Sequence, residues 1–187
     1  MFAVETTQPS MLSPSPSINH RLYHVESKDA HGIVIAVQSV FAKLEKLQTS
    51  LRPIYEEFGF RLPSAGVAAR DLSERIEQAI VQHCQHFTRG RGHCDLARGN
   101  EDWEVKICQH AGLTINQSKV VNGEHYIVVN YDADTSLVRR IWILWAAKDQ
   151  DFSPRRPNSN ARHLSFRDAI ASGRCAVLFS REKEAHA

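Results

Sequence analysis

The chain has 187 residues, of which 42% are hydrophobic and 24% charged, and its formal net charge is +2. This is an ordinary globular composition, and the length allows one domain with a sizeable core. No stretch approaches the roughly 20 apolar residues that a membrane helix needs, so we expect no membrane segment. A charge this mild neither requires nor excludes a nucleic-acid partner.

The N-terminal segment, residues 1–20, is rich in Ser, Pro and Thr. We expect it to be disordered, and it lacks the basic-then-apolar order of a signal peptide. The four cysteines are too scattered to indicate a disulfide framework, so they predict small buried thiols in a reducing, cytoplasmic protein.

A helical period appears over residues 33–51, and a stripe of apolar side chains recurs there in steps of three and four. The members of this stripe are Val37, Val40, Leu44, Leu47 and Leu51. The stripe predicts either packing on the helix's own domain or a contact in a homodimer. Pro53 is expected to end this helix, and residues 21–66 would form a helical N-terminal extension.

A second amphipathic helix is predicted over residues 72–87, with Asp71 as its N-cap and Glu74 completing a capping box. It would begin the main domain, residues 67–181, which is followed by a charged tail, 182–187.

The rest of the domain alternates short strands and helices. We predict a hairpin of strands at 93–97 and 103–108, a short helix at 114–121, strands at 125–131 and 137–145, a polar loop at 148–163, a helix at 165–171 and a strand at 175–179. Helices around a run of strands indicate an α/β fold with a central mixed β-sheet flanked by helices.

The second strand of the hairpin carries the residues that indicate chemistry. Strand side chains alternate, so Glu104 and Lys106 leave one face while Trp103 and Val105 leave the other. Asp95, on the preceding strand, lies near them if the hairpin pairs in register. Two convergent carboxylates are what Mg²⁺ requires, and an adjacent lysine can orient or deprotonate a water that attacks a phosphodiester.

This helix–hairpin–helix–strand order over residues 70–131 resembles the common core of the PD-(D/E)XK nuclease superfamily. The resemblance implies a restriction-endonuclease-like core with Asp95, Glu104 and Lys106 as the catalytic set. It implies that Asp95, Glu104 and the carbonyl of Val105 hold Mg²⁺, for which Mn²⁺ can substitute. It also implies an acidic residue from the first core helix, which would be Glu77 or Glu74. Helical geometry favours Glu77, because it borders the apolar stripe.

The implied activity is hydrolysis of DNA that leaves a 3′-hydroxyl and a 5′-phosphate, with RNA not excluded as substrate and a restriction or defence role by analogy. Basic and amide side chains would contact the nucleic acid. These candidates are Arg89, Arg91, Gln117, Lys119, Arg155, Arg156 and Arg162.

Other interpretations of the same residues stay open. Glu26-Ser27-Lys28 repeats the Glu-x-Lys pattern in a polar segment. A zinc site built from His83, Cys84, His86, His93 and Cys94 lacks the expected ligand spacing. The main alternative is a non-catalytic DNA-binding module on the same fold, and another is an interaction protein built around the first helix.

Overall fold

The computed structural model describes residues 25–59, 69–90, 94–109, 113–116, 123–132, 134–154 and 157–181. Two long helices come first, α1 (Ser27–Glu57) and α2 (Ala69–His83). They are followed by the strands β1 (Phe87–Arg89), β2 (Leu96–Arg98), β3 (Glu101–Cys108), β4 (Thr114–Asn116), β5 (His125–Tyr131) and β6 (Val138–Leu144). A 3₁₀ turn (Asp149–Asp151), β7 (Ala161–His163), α3 (Phe166–Ala171) and β8 (Cys175–Ser180) complete the fold.

Six strands form one mixed sheet in the order β1-β2-β3-β5-β6-β8, in which β3 and β5 run parallel and the other neighbours are antiparallel. β4 and β7 form a separate antiparallel pair. The α/β class with a central mixed sheet, helices around it and an N-terminal helix is therefore confirmed. No helix among the described residues is long and apolar enough to cross a bilayer.

The sheet separates two apolar cores. On one face α1 and α2 pack against alternate side chains of β3, β5 and β6, among them Trp103, Val105 and Ile127. On the other face Tyr126 and Trp142 pack against α3 and the segments around β4 and β7. β5 is buried from Tyr126 to Tyr131 because it contributes to both cores.

Three predicted boundaries on the helices are wrong. α1 continues through Pro53 to Glu57, since a missing N–H near the end of a helix removes one hydrogen bond without stopping the chain. α2 is already helical at Ala69, so Asp71 lies in its first turn and is not its N-cap. α2 also ends at His83, and Phe87 begins β1 by pairing with Arg98.

The helix predicted at 114–121 is also wrong where it can be compared. Thr114–Asn116 is a strand, because it pairs with Ala161–His163 and buries Ile115 in the second core. Tertiary pairing has overridden a weak local preference there. The predicted disordered segment at 1–20 and the charged tail at 182–187 lie outside the described residues.

Candidate active site

β2 and β3 separate immediately beside Asp95. Their antiparallel pairing ends with Leu96 opposite Trp103, and the Asp95 carboxylate then accepts a hydrogen bond of 2.7 Å from the backbone N–H of Val105. Along a strand, the N–H and C=O of one residue point toward the same neighbouring strand. The carbonyl of Val105 is therefore directed to the side on which Asp95 lies, which brings two oxygen donors to one place.

Gly90 fixes the backbone that carries Asp95. Its N–H donates to the carbonyl of Asp95 at 3.1 Å, which extends the β1–β2 pairing by one residue. A Cβ atom at position 90 would lie 2.1 Å from the carbonyl oxygen of Cys94, so a residue larger than glycine does not fit without moving this backbone. This role of Gly90 was not predicted from the sequence.

Glu104 and Lys106 leave the same face of β3, as the strand alternation predicted. The Lys106 ammonium donates directly to the Glu104 carboxylate, and both side chains are mostly shielded from solvent. Burial raises the pKa of Glu104, Lys106 opposes that rise, and the negative charges of Asp95 and Glu124 add to it. The carboxylate thus lies in a site where one ammonium faces several negative groups.

Glu77 on α2 responds to the same cluster. Desolvation, together with the charges of Asp95, Glu74 and Glu104, raises its pKa to about 7, and Arg89 partly offsets the rise. The helical carboxylate expected from the resemblance therefore lies within electrostatic reach of Asp95 and Glu104. A carboxyl group whose charge is opposed by other carboxylates is one that a divalent cation would relieve.

The structure adds Glu124 to the candidate residues and places Cys94, considered above only as a zinc ligand, beside it. Ligand atoms of Cys94, Glu104 and Glu124 lie within 4.8 Å of one another. Glu124 is buried immediately before β5, and the Tyr126 hydroxyl donates to it. Burial and the neighbouring acidic groups raise the pKa of Cys94 to about 11, so at neutral pH it is a neutral thiol beside two carboxylates.

Only the strand pairing could have revealed Glu124. In the parallel register Glu104 lies opposite Tyr126, so residues 104, 124 and 126 share a face at the same end of the sheet. The sequence places Glu124 twenty residues after Glu104, with nothing local to relate the two.

No protein-family model matches the chain, and no curated protein matches it. A functional interpretation therefore rests on the side chains themselves.

The basic residues proposed for nucleic-acid contact divide into three groups. Arg89 is exposed on β1 and is close enough to Glu77 to affect its pKa. Arg162, in contrast, is 1% exposed. Five further candidates lie outside the described residues, namely Arg91, Gln117, Lys119, Arg155 and Arg156.

The assignment of Arg162 to nucleic-acid binding needs correction. Its guanidinium forms an ion pair with Asp149 and donates to the carbonyl oxygens of Phe152 and Ser153, at 3.2 and 2.6 Å. These bonds tie β7 to the 3₁₀ turn. A side chain that is enclosed and fully engaged in this way stabilises the fold and does not contact a phosphate.

The zinc arrangement gains no support from the described residues. The Cys84 thiol faces the carbonyl of Asp29 at 3.5 Å, and His86 Nδ1 lies 2.8 Å from the carboxylate of the same residue. Within the described segments these two side chains belong to no group of three converging metal ligands, and His93 lies outside those segments. All four cysteines are unbridged, and Cys84, Cys94 and Cys175 are buried as the sequence predicted, whereas Cys108 is only partly buried.

Proposed function

We propose that this protein is a divalent-metal-dependent endonuclease that hydrolyses phosphodiester bonds of DNA. The observation that carries the proposal is the position of Asp95, whose carboxylate is bonded to the backbone of the strand that carries Glu104 and Lys106 and whose charge raises the pKa of Glu104. Its support is the agreement between this geometry and the residue roles implied by the PD-(D/E)XK resemblance.

The donor set fits a hard cation. The acidic groups are carboxylates, and the nearby Cys94 is a neutral thiol at pH 7. The Val105 N–H donates to Asp95, and strand geometry directs the Val105 carbonyl to the same side. Mg²⁺ prefers oxygen ligands and commonly takes one or two carboxylates along with water and phosphate oxygens. Asp95, Glu104 and the Val105 carbonyl would hold it, and Glu124 supplies a further carboxylate on the other side of Glu104.

The bound cation would supply charge neutralisation and Lewis acidity at the phosphate. Lys106 then has the role of orienting the attacking water, and it could accept a proton from that water only after giving up its own proton and becoming a neutral amine. In-line attack on phosphorus breaks the bond to the 3′-oxygen and leaves a 3′-hydroxyl and a 5′-phosphate. Arg89, exposed beside the site, is suited to hold a neighbouring phosphate.

We propose a cytoplasmic enzyme with a restriction or defence role, by analogy with the restriction endonucleases of the superfamily that the sequence resembles. The assignment is by analogy of fold and site.

The test is cleavage of a mixed-sequence supercoiled plasmid with Mg²⁺ or Mn²⁺ by the wild type, Asp95→Asn and Lys106→Met. The matched control is Lys28→Met, because Lys28 belongs to the second Glu-x-Lys sequence and is exposed at the start of α1. We expect metal-dependent nicking by the wild type and the control, and a loss of at least about a hundredfold in the two site variants.

Two results would count against this function. Nicking that persists in Asp95→Asn would place the activity elsewhere or in a contaminant. Wild type that binds DNA, takes up no Mn²⁺ in a titration and never cuts would favour the DNA-binding module.

A further inference from the structure

The second half of α1 exposes an apolar stripe. From residue 42 to 57 none of its side chains is buried, whereas Ile33, Val37 and Phe41 in the first half are in the core. Leu47 is 55% exposed, Ile54 50% and Phe58, at the C-cap, 65%, which makes them the most exposed large apolar side chains of the described residues.

These side chains follow the spacing of a helix-pairing surface. Leu44, Leu47, Leu51, Ile54 and Phe58 are separated by steps of three, four, three and four residues. This is the heptad pattern with which one helix packs against another. The pattern continues from the buried half of the helix without a change of register, through Val37 and Val40.

A groove lies beside the N-terminal part of this exposed stripe. It has a volume of about 600 Å³ and runs between α1 and α2, with Val40, Leu44, Leu72 and Ala79 among its apolar lining. Lys43 and Arg75 are at its edge, together with the single acidic residue Asp71. The groove is thus apolar inside and mainly basic at its rim.

The end of α1 is complementary to that groove. Ile54 and Phe58 are apolar and exposed, and the residues beside them, Glu56 and Glu57, are acidic. The α1 residues that line the groove and the exposed C-terminal end of α1 lie about 20 Å apart along that helix, at 1.5 Å per residue. Two copies related by a two-fold axis can therefore fill each other's grooves at the same time, which is the condition for a closed, isologous dimer.

We propose that the protein forms a homodimer in which the α1 helices of two copies pair antiparallel over residues 40–58. In this register Leu44 packs against the partner's Ile54 and Leu47 against the partner's Leu51. Val40 packs against the partner's Phe58.

Charge selects the antiparallel direction. Lys43 of each copy lies beside the partner's Glu57, so the pairing gains two opposite-charge contacts flanking the apolar seam. In a parallel pairing Lys43 would face the partner's Gln48, and no such contact would form. Pro53 falls on the outer side of the helix and does not interrupt the seam.

The test is the solution mass of the full chain by light scattering and sedimentation over a wide concentration range. We expect twice the chain mass of 21.1 kDa for the wild type and the monomer mass for Ile54→Glu. The matched control is Ile35→Glu, since Ile35 is exposed on the same helix but off the stripe, and it should remain dimeric. Circular dichroism establishes that each variant is folded.

Charge reversal tests the direction of the pairing. Lys43→Glu and Glu57→Lys should each weaken association roughly tenfold, and the double variant should restore it, because it recreates the opposite-charge contacts in reverse. A wild type that is monomeric at high concentration would overturn the proposal. Dissociation of the Ile35→Glu control, or failure of the double variant to restore association, would also overturn it.

Discussion

The Asp95 carboxylate accepts its hydrogen bond from the backbone N–H of Val105, on the strand that carries Glu104 and Lys106. One oxygen of the proposed metal ligand is thereby anchored to that strand. The observed hydrogen bond and the proposed binding of a cation are two separable functions of the same side chain.

Two substitutions at Asp95 should distinguish those functions. Asp95→Ala leaves the Val105 N–H without its acceptor and should lower the free energy of unfolding by about 1–3 kcal/mol. Asp95→Asn keeps an acceptor oxygen and should be close to wild type in stability. Both should lose Mn²⁺ binding, measured by calorimetric titration alongside urea denaturation. Equal stability of the two variants would contradict the anchoring role.

Replacement of Gly90 should disturb the site through the backbone. The Cβ of Gly90→Ala would lie 2.1 Å from the Cys94 carbonyl oxygen, so the turn that presents Asp95 must shift. We expect a loss of stability of about 1–3 kcal/mol and weaker metal binding. The control is Gly99→Asn at the next turn, where φ is +62°, space is open and asparagine tolerates the conformation. Similar behaviour of the two variants would argue against a special role for Gly90.

Glu77 should make stability depend on pH in the metal-free protein. Its pKa is about 7 in the folded state and 4.5 when the side chain has no interactions, as in the unfolded chain. Between these pH values the folded state therefore binds more protons than the unfolded state. Stability from this group is therefore present below pH 4.5 and is lost as the pH rises through about 7. Glu77→Gln should gain in melting temperature relative to wild type between pH 5 and pH 8. Saturating Mg²⁺ should reduce that difference, and a difference independent of pH would contradict the assignment.

Tyr126 should influence metal affinity through Glu124. Its hydroxyl donates to that carboxylate, and removal of such outer partners commonly lowers metal affinity by about 10–100-fold. Tyr126→Phe should therefore bind Mn²⁺ more weakly while remaining folded. Tyr131→Phe is the matched control, because Tyr131 is buried on the same strand and its hydroxyl accepts instead from Gln109 at 3.0 Å. Unchanged affinity in Tyr126→Phe would remove Glu124 from the site.

Arg162 and Arg89 should affect different properties. Arg162→Ala removes the guanidinium that pairs with Asp149 and donates to two backbone carbonyls, and we expect it to destabilise the fold by about 2–4 kcal/mol. Arg89→Ala should leave stability within about 0.5 kcal/mol, because the side chain is exposed. It should instead weaken DNA binding and reduce its salt dependence. Fluorescence anisotropy at several salt concentrations, with thermal melts, measures both.

Local patterns predicted the parts of the fold that depend on short-range alternation. The β2–β3 hairpin, the apolar strands β5 and β6, and the shared face of Glu104 and Lys106 follow from period-two patterning and a turn at Gly99. A period-two pattern shows which side chains of a strand face the core, and it can be read from the residues of that strand alone.

What the sequence did not reveal depends on contacts between distant segments. Thr114–Asn116 is a strand because it pairs with β7. Glu124 lies near Glu104 because of the parallel register of β3 and β5, and Arg162 is buried in an ion pair with Asp149. In each case the deciding partner lies thirteen or more positions away in the chain, and no local propensity records it.

The parallel pairing of β3 with β5 has a consequence for folding. The β2–β3 and β5–β6 hairpins can each form from neighbouring residues, whereas the pairing of β3 with β5 joins residues that are 22 positions apart, such as Trp103 and His125. Asp95, Glu104 and Lys106 belong to the first hairpin, and Glu124 immediately precedes the second. We therefore expect these carboxylates to come together only when the two hairpins pair, after the contacts within each hairpin have formed.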